Sequence, residues 1–565
     1  MSYKRITAAA LTLLLAMSIT ACNTGTTTEK ENTTATETEA SSERVYSEEE
    51  MFTKRDKKTD YDESSAVEIA CEDSKITCDS KAVTISDNQA VITEEGTYVI
   101  AGTLTNGQIV VDVDKNEKVQ LVLNGVNINC DTSAAIYVKQ ADKVFITLAE
   151  GSENVLSTKE EYAAIDDNNI DAVIFSKEDL TLNGTGSLTI QAAYGHGIVS
   201  KEDLAITGGT YEIQAEKHAL CGKDSVRIAD GTFHLVCGKD AVHAKNTDDE
   251  SLGFVYIAGG TFEIESEDDG MHASQDMVIQ GGTIHINRCY EGIEGRTIDI
   301  TDGDVTICAE DDGLNAANGS STDSETTDGT QQKDMQGGGM DAADESCYIK
   351  IEDGTLRIDA SGDGIDSNGS LYVTGGETYV SGAENDGDGA IDYNGEATIT
   401  GGTFVAAGMS GMAQNFGEDS TQGTMLVNLS GNRVQGELVL KDSEGNTILS
   451  YTPEKSYNSV VISHPNIQKD QTYTVEAGGQ STEVKMTTLV YGEGGMGAGG
   501  PQMAPGAAGE NTAPPENTDK TRENTPPDGG GQDAKQGTTP PEKPDGMKGG
   551  GTPLEKPQTE NSSEM

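Results

Sequence analysis

The sequence predicts an all-β protein whose body is a parallel β-helix of about 22 residues per coil, and two observations carry that prediction. The first is an internal repeat. Glycines that open a Gly-Thr-like step fall at Gly186, Gly209, Gly231, Gly260, Gly282, Gly303, Gly354, Gly376 and Gly402, with successive gaps of 23, 22, 29, 22, 21, 51, 22 and 26 residues. The second is alternation within each repeat. Counting the glycine as column 0, columns 2 and 4 are apolar around a polar column 3, as in Phe233 and Leu235 or Ile284 and Ile286, which is the period of a strand with one buried face. Column 11 is apolar again (Leu220, Val242, Met271, Ile293, Leu314, Ile365), and a third alternating run follows, as in Met277 and Ile279. Three short strands cannot close a core inside one repeat, but stacked repeats can, each pairing with the next at a spacing of about 4.8 Å.

Taken in order, residues 1–21 have a basic start (Lys4, Arg5) and an apolar run from Ile6 to Met17, too short for a permanent span and flanked like an export signal. Ile19-Thr20-Ala21-Cys22 matches a bacterial lipoprotein box, so Cys22 is the expected lipidation site and the chain is expected on the outer face of the cell membrane. Residues 22–65 are Thr, Glu, Ser, Lys and Asp with little to bury and read as a disordered tether. The β-helix is expected over 66–423. Its N-terminal cap spans Ala66–Glu95, because an open ladder end would template aggregation, and less regular first coils follow to Ser157. Insertions at Asn246–Leu252 and 318–345 explain the two long gaps; the second, with Asp341 and Asp344, emerges beside the acidic columns described below. Residues 424–490 alternate with hairpin-like turns and predict a small antiparallel β-sandwich-like module. The Gly- and Pro-rich stretch 491–565 reads as a disordered tail.

A net charge of −58 with 34% hydrophobic residues and 67 glycines would suggest disorder if spread evenly, but the apolar residues concentrate in the repeats. That charge excludes nucleic acid as a partner, since such binding needs a basic surface. Of nine cysteines, eight remain after Cys22, without zinc-like spacing; they read as small residues of a reduced protein, with a Cys71–Cys78 disulfide as the alternative.

Columns 9 and 12 flank the buried column 11 and are expected to face outward. Column 9 holds His218, Asp240, Asp269, Glu291, Asp312 and Asp363, then Asp388; column 12 holds Cys221, His243, His272, Glu294, Asn315 and Asp366, then Asp392. Carboxylates stacked at strand spacing repel by about 1 kcal/mol per pair even in water. A hard divalent cation with oxygen ligands answers this, and calcium suits such flexible, oxygen-rich loops. The expected ligands are Asp240, Asp268, Asp269, Glu291, Glu294, Asp311, Asp312, Asp363, Asp366, Asp386, Asp388 and Asp392. The plainer alternative is that Asp-Gly pairs only make turns. It leaves unexplained the doubled Asp268-Asp269 and Asp311-Asp312, each followed three residues beyond the pair by a further polar group.

Val122-Leu123-Asn124-Gly125-Val126, Ala135-Ile136-Tyr137-Val138, Asp311-Asp312-Gly313-Leu314-Asn315-Ala316, Gly362-Asp363-Gly364-Ile365-Asp366-Ser367-Asn368-Gly369, Gly389-Ala390-Ile391-Asp392-Tyr393 and Ser410-Gly411-Met412-Ala413-Gln414 carry a resemblance. In these motifs and their order, residues 66–491 resemble the carbohydrate-binding domain-containing β-helix proteins of clostridia and related bacteria, whose fold is similar to that of pectate lyases. The resemblance implies a right-handed parallel β-helix carrying Ca2+ and binding plant cell-wall polysaccharide such as cellulose or acidic pectin. The reading is therefore a non-catalytic, monomeric, surface polysaccharide binder. The alternatives are a calcium-dependent lyase of uronate polymers, with Lys239, Lys245 or Arg296 as base, and a structural or adhesive surface protein.

Overall fold

The computed structural model describes residues 46–86, 88–163, 169–318, 342–429 and 433–492. The expected signal segment, Cys22, most of the 318–345 insertion and nearly all of the C-terminal tail lie outside the described residues. Among those described, one four-residue helix, Glu48–Met51, accompanies 42 strands, of which 38 join one hydrogen-bonded network. Among the described residues no helix is long and apolar enough to cross a membrane.

Consecutive strands fall in turn on three parallel ladders, so the chain returns to the same ladder once per repeat. The first ladder runs through Thr210–Ala215, Thr232–Cys237, Thr261–Ser266, Thr283–Cys289, Asp304–Ala309, Thr355–Ala360 and Glu377–Ser381. On it Tyr211, Phe233 and Phe262 pair in register and stack inside, with ring centroids 5.1 and 4.6 Å apart and planes within 8°. The second ladder is short, two or three residues per repeat, as in Leu220–Gly222, Val242–Ala244, Leu314–Ala316 and Ile365–Ser367. The third includes Ser225–Ile228, Phe254–Ile257, Tyr348–Ile351 and Ser370–Val373. Columns 2, 4 and 11 are buried throughout, so one core runs the length of the stack. Two glycines show why the repeat keeps them. Gly282 turns into the first ladder at φ +101°, and a Cβ on Gly270 would lie 2.6 Å from the Gly292 carbonyl oxygen.

Both ends of the stack are covered. At the N-terminal end Val67–Asp73 pairs antiparallel with Lys75–Thr77, and Val83–Ser86 with Gln89–Ile92, before parallel pairing begins. At the other end Ser459–Ser463 pairs antiparallel with both Thr403–Gly408 and Thr424–Asn428. Two strands of the expected C-terminal module thus extend the edge of the first ladder. Thr447–Tyr451, Leu438–Lys441, Thr472–Ala477 and Gln480–Lys485 form a second, four-stranded sheet.

The expected tether is also corrected in part. Residues 46–58 are built against the outer face of the third ladder, where Met51 and Phe52 are buried with Phe254, Tyr256 and Val278. Asp56 is buried and accepts from Thr181 Oγ1 at 2.6 Å, while Lys143 Nζ lies 2.9 Å away. Arg227 donates to the Met51 carbonyl at 2.9 Å. Composition hid this because only Tyr46, Met51 and Phe52 supply the apolar contact. All eight cysteines from Cys71 to Cys347 are free, including Cys71 and Cys78.

Candidate metal centre

The second ladder positions the site. Its in-register column 12 reads Cys221, His243, His272, Glu294, Asn315, Asp366 and Asp392. Column 9 lies just before this strand, and several of its side chains take the backbone N–H of the following repeat. Asp269 N donates to Asp240 Oδ1 at 3.1 Å, Asp363 N to Asp312 Oδ1 at 2.6 Å, and Gly389 N to Asp363 Oδ1. The histidines do likewise: His218 N donates to His196 Nδ1 at 3.3 Å and Asp240 N to His218 Nδ1 at 3.1 Å. This explains a departure from the outward orientation expected of these columns. Asp240 and Asp269 are only 4% and 7% exposed, drawn in by the N–H groups and overlaid by column 12.

Three chemical zones follow one another along the ladder. In the first, the rings of His196, His218, His243 and His272 stack with centroids 5.0, 4.1 and 5.0 Å apart. His243 Nδ1 lies 2.6 Å and His218 Nδ1 3.4 Å from Asp240 Oδ2. Burial and the neighbouring imidazoles hold His243 well below the ordinary histidine range and His218 down at about 2, so both rings are neutral. Cys221, raised to about 12 by burial, stays a thiol.

In the second zone His272 Nδ1 sits 2.6 Å from Glu294 Oε2 and 3.1 Å from Asp269 Oδ2. Burial alone would lower its pKa, but the hydrogen bonds to Asp269 and Glu294 outweigh burial and raise it well above the ordinary histidine range, while burial raises Asp269 in turn. Glu291 beside it is pushed up to about 7 by burial and by the Glu294 charge. In the third zone Asp312, Asp363 and Asp366 converge, each offering an oxygen within 4.8 Å of the others'. Burial, then repulsion from neighbouring carboxylates, raises Asp312 and Asp366 to about 7 and Asp363 to about 8. Between the second and third zones stands Asn315. Its amide nitrogen donates to Glu291 Oε2 at 2.9 Å, while its Oδ1 is buried without a hydrogen-bond donor.

Of the twelve acids expected as ligands, the structure brings Asp240, Asp269, Glu291, Glu294, Asp312, Asp363 and Asp366 into close groups. The other five stand apart from those groups. Asp268 pairs with Lys239 at 2.8 Å, Asp311 takes the Tyr290 hydroxyl, Asp388 accepts from Asn385 at 2.6 Å, Asp392 accepts from Gln414, and Asp386 is exposed. Asp268 and Asp311 precede the column 9 acids in the bend between the first and second ladders, and that bend turns them away. His218, His243, His272 and Asn315 occupy the same two columns, so their spacing is the signal that places them in the site although they are not acids. Of the candidate bases, Lys239 is held by Asp268 and Arg296 lies 3.7 Å from Asp276. Lys245 lies where its charge acts on Glu294.

Comparison with known proteins gives three findings. Residues 86–334 match the family described as carbohydrate-binding domain-containing protein. A carbohydrate-binding domain-containing protein of Acetivibrio thermocellus is 41% identical over 150 residues, 26% of this chain and 52% of that protein, so the chain spans about half the length of the curated relative it matches. The polysaccharide lyase-like protein from C. thermocellum, solved as a gadolinium derivative, is 34% identical, with 45% of this chain and 98% of that chain covered at a TM-score of 0.39. The part of this chain that is similar to carbohydrate-binding domain-containing proteins therefore includes the stacked histidines and Asp312 but ends before Asp363 and Asp366.

Proposed function

We propose that this chain is a cell-surface, calcium-dependent polysaccharide-binding protein without catalytic activity. It is built on a right-handed parallel β-helix and anchored through lipid on Cys22. The observation that carries the proposal is the convergence of buried carboxylates at Asp312, Asp363 and Asp366 beside the undonated Asn315 Oδ1. Such a set is rich in hard oxygens and short of positive charge, which fits calcium, and the protons that its raised carboxyls hold near neutral pH would leave as the ion binds. Asp312, Asp363 and Asp366 would hold one ion; Asp269, Glu291 and Glu294, with Asn315 between the groups, make a second set. Calcium bound there supplies positive charge and open coordination positions toward an acidic polymer. That need is large for uronate chains, since a protein of net charge −58 repels them unaided. The similarity to carbohydrate-binding domain-containing proteins supports the polysaccharide partner. With no Trp in the chain, stacking on neutral sugars has few platforms.

The test is calorimetric titration of the full mature chain with polygalacturonate, and pull-down on cellulose, in calcium and in chelator, while ultraviolet absorbance is followed for unsaturated product. Calcium-dependent binding with flat absorbance is the expected result. Rising absorbance would replace the binder with a lyase and direct attention to Lys239, Lys245 and Arg296. Calcium-dependent stability with neither glycan bound would leave a structural surface protein.

A further inference from the structure

Calcium chemistry does not account for the histidine end of the ladder. Four imidazoles in a row are poor calcium ligands, because a hard cation seeks oxygen, whereas imidazole nitrogen suits zinc, nickel and copper. Nor does the core need them: the positions equivalent to His243 and His272 farther along are filled by Glu294, Asn315 and Asp366 on the same backbone. This end of the ladder holds a compact mixed donor set. His218, Asp240 and His243 each offer a ligand atom, all within 4.8 Å of one another. Asp240 is held from two sides: its Oδ1 accepts Asp269 N–H at 3.1 Å, so Oδ2 is directed at the imidazoles. The Asp240 carboxylate therefore has a fixed rotamer before any ion arrives, which is the preorganisation a small cation site requires.

We propose that His218, Asp240 and His243 form a transition-metal site of the zinc class, chemically distinct from the all-oxygen groups that follow it on the same ladder. Asp240, expected from the sequence as a calcium ligand, serves the nitrogen-rich site instead. Two imidazoles, one carboxylate and one solvent position complete four-coordination. In the metal-free protein His243 Nδ1 lies 2.6 Å from Asp240 Oδ2, and an ion bound at Nδ1 would leave the neutral ring with its proton on Nε2. The His218 nitrogen now accepts the Asp240 N–H, and leaving that buried donor without its acceptor costs about 1–3 kcal/mol, small against a zinc–ligand bond set. His272 stays outside the set, held by Glu294 at 2.6 Å, and marks the boundary with the oxygen zone. The proposal stands whether or not the oxygen zone takes calcium.

The test is titration of the untagged full-length mature chain with zinc chloride under saturating calcium, followed by calorimetry. Cobalt(II) in place of zinc gives a visible absorption band that reports nitrogen ligation. The expected result is one zinc per chain that calcium does not displace, with a cobalt band, and affinity lowered by about 10-fold or more in His243→Ala. Because His243→Ala could disturb the stack, His218→Gln is measured beside it, and melting in calcium confirms that each variant is folded. His285→Ala, a histidine paired with Glu263 on the first ladder, should bind zinc as the parent does. Zinc displaced by calcium, absence of the cobalt band, or parental zinc affinity in folded His243→Ala and His218→Gln would each overturn the proposal.

Discussion

At the residue scale the informative group is Asn315. Its carbonyl oxygen is buried without a donor, an arrangement that costs about 1–3 kcal/mol unless a cation or water meets it. Asn315→Ala is therefore expected to lower calcium affinity by about 10-fold with little change in the melting temperature of the calcium-free protein, measured by calorimetry and thermal denaturation. The raised carboxyls give a second expectation. Asp363 at about 8 and Asp312 and Asp366 at about 7 bind protons in the folded, calcium-free protein well above the pH at which they would in the unfolded chain. Stability from these groups is thus complete below about pH 4 and is lost as pH rises toward 8. The calcium-free melting temperature should fall between pH 5 and 8, and the stabilisation conferred by calcium should grow over the same interval. A flat profile in chelator would contradict the reading.

At the scale of elements, the packed segment 46–58 and the aromatic stack each make a prediction. Burial pushes the Asp56 carboxyl up, but the Thr181 hydrogen bond and Lys143 outweigh burial and hold it at about 2. Its contribution is present above about pH 4 and is lost as pH falls through 2. Asp56→Ala leaves Lys143, whose side chain is 10% exposed, without its partner and should destabilise by about 3–5 kcal/mol in urea melts. Phe233→Ala opens the middle of the Tyr211–Phe233–Phe262 stack and should cost about 3–5 kcal/mol by the same measurement. These two elements differ in how far the sequence announced them. The stack repeats at a fixed column and is legible as a period; the packed segment rests on three apolar residues meeting strands far away in sequence, which no local pattern encodes. The site was half legible for a similar reason. Columns 9 and 12 could be read from spacing, yet the division of labour within them could not. Asp268 and Asp269 look equivalent in sequence, and only the three-dimensional turn sends one to Lys239 and the other beneath His272.

At the scale of the whole molecule, the repeat turns one local design into a graded surface, with imidazoles first and carboxylates after, on an unchanging backbone register. The first described residue adds a mechanical dimension. Tyr46 donates its hydroxyl to Asp276 at 2.6 Å, and its backbone carbonyl accepts from Gln280 at 3.1 Å. From there residues 46–58 run back along the third ladder to Gln120 and Phe145, where Arg55 sits 3.0 Å from the first and 4.4 Å from the ring of the second. A pull on the chain ahead of Tyr46 would therefore enter at the waist of the stack. The load would be shared in shear by contacts spread over several repeats, leaving the covered N-terminal end out of the line of force.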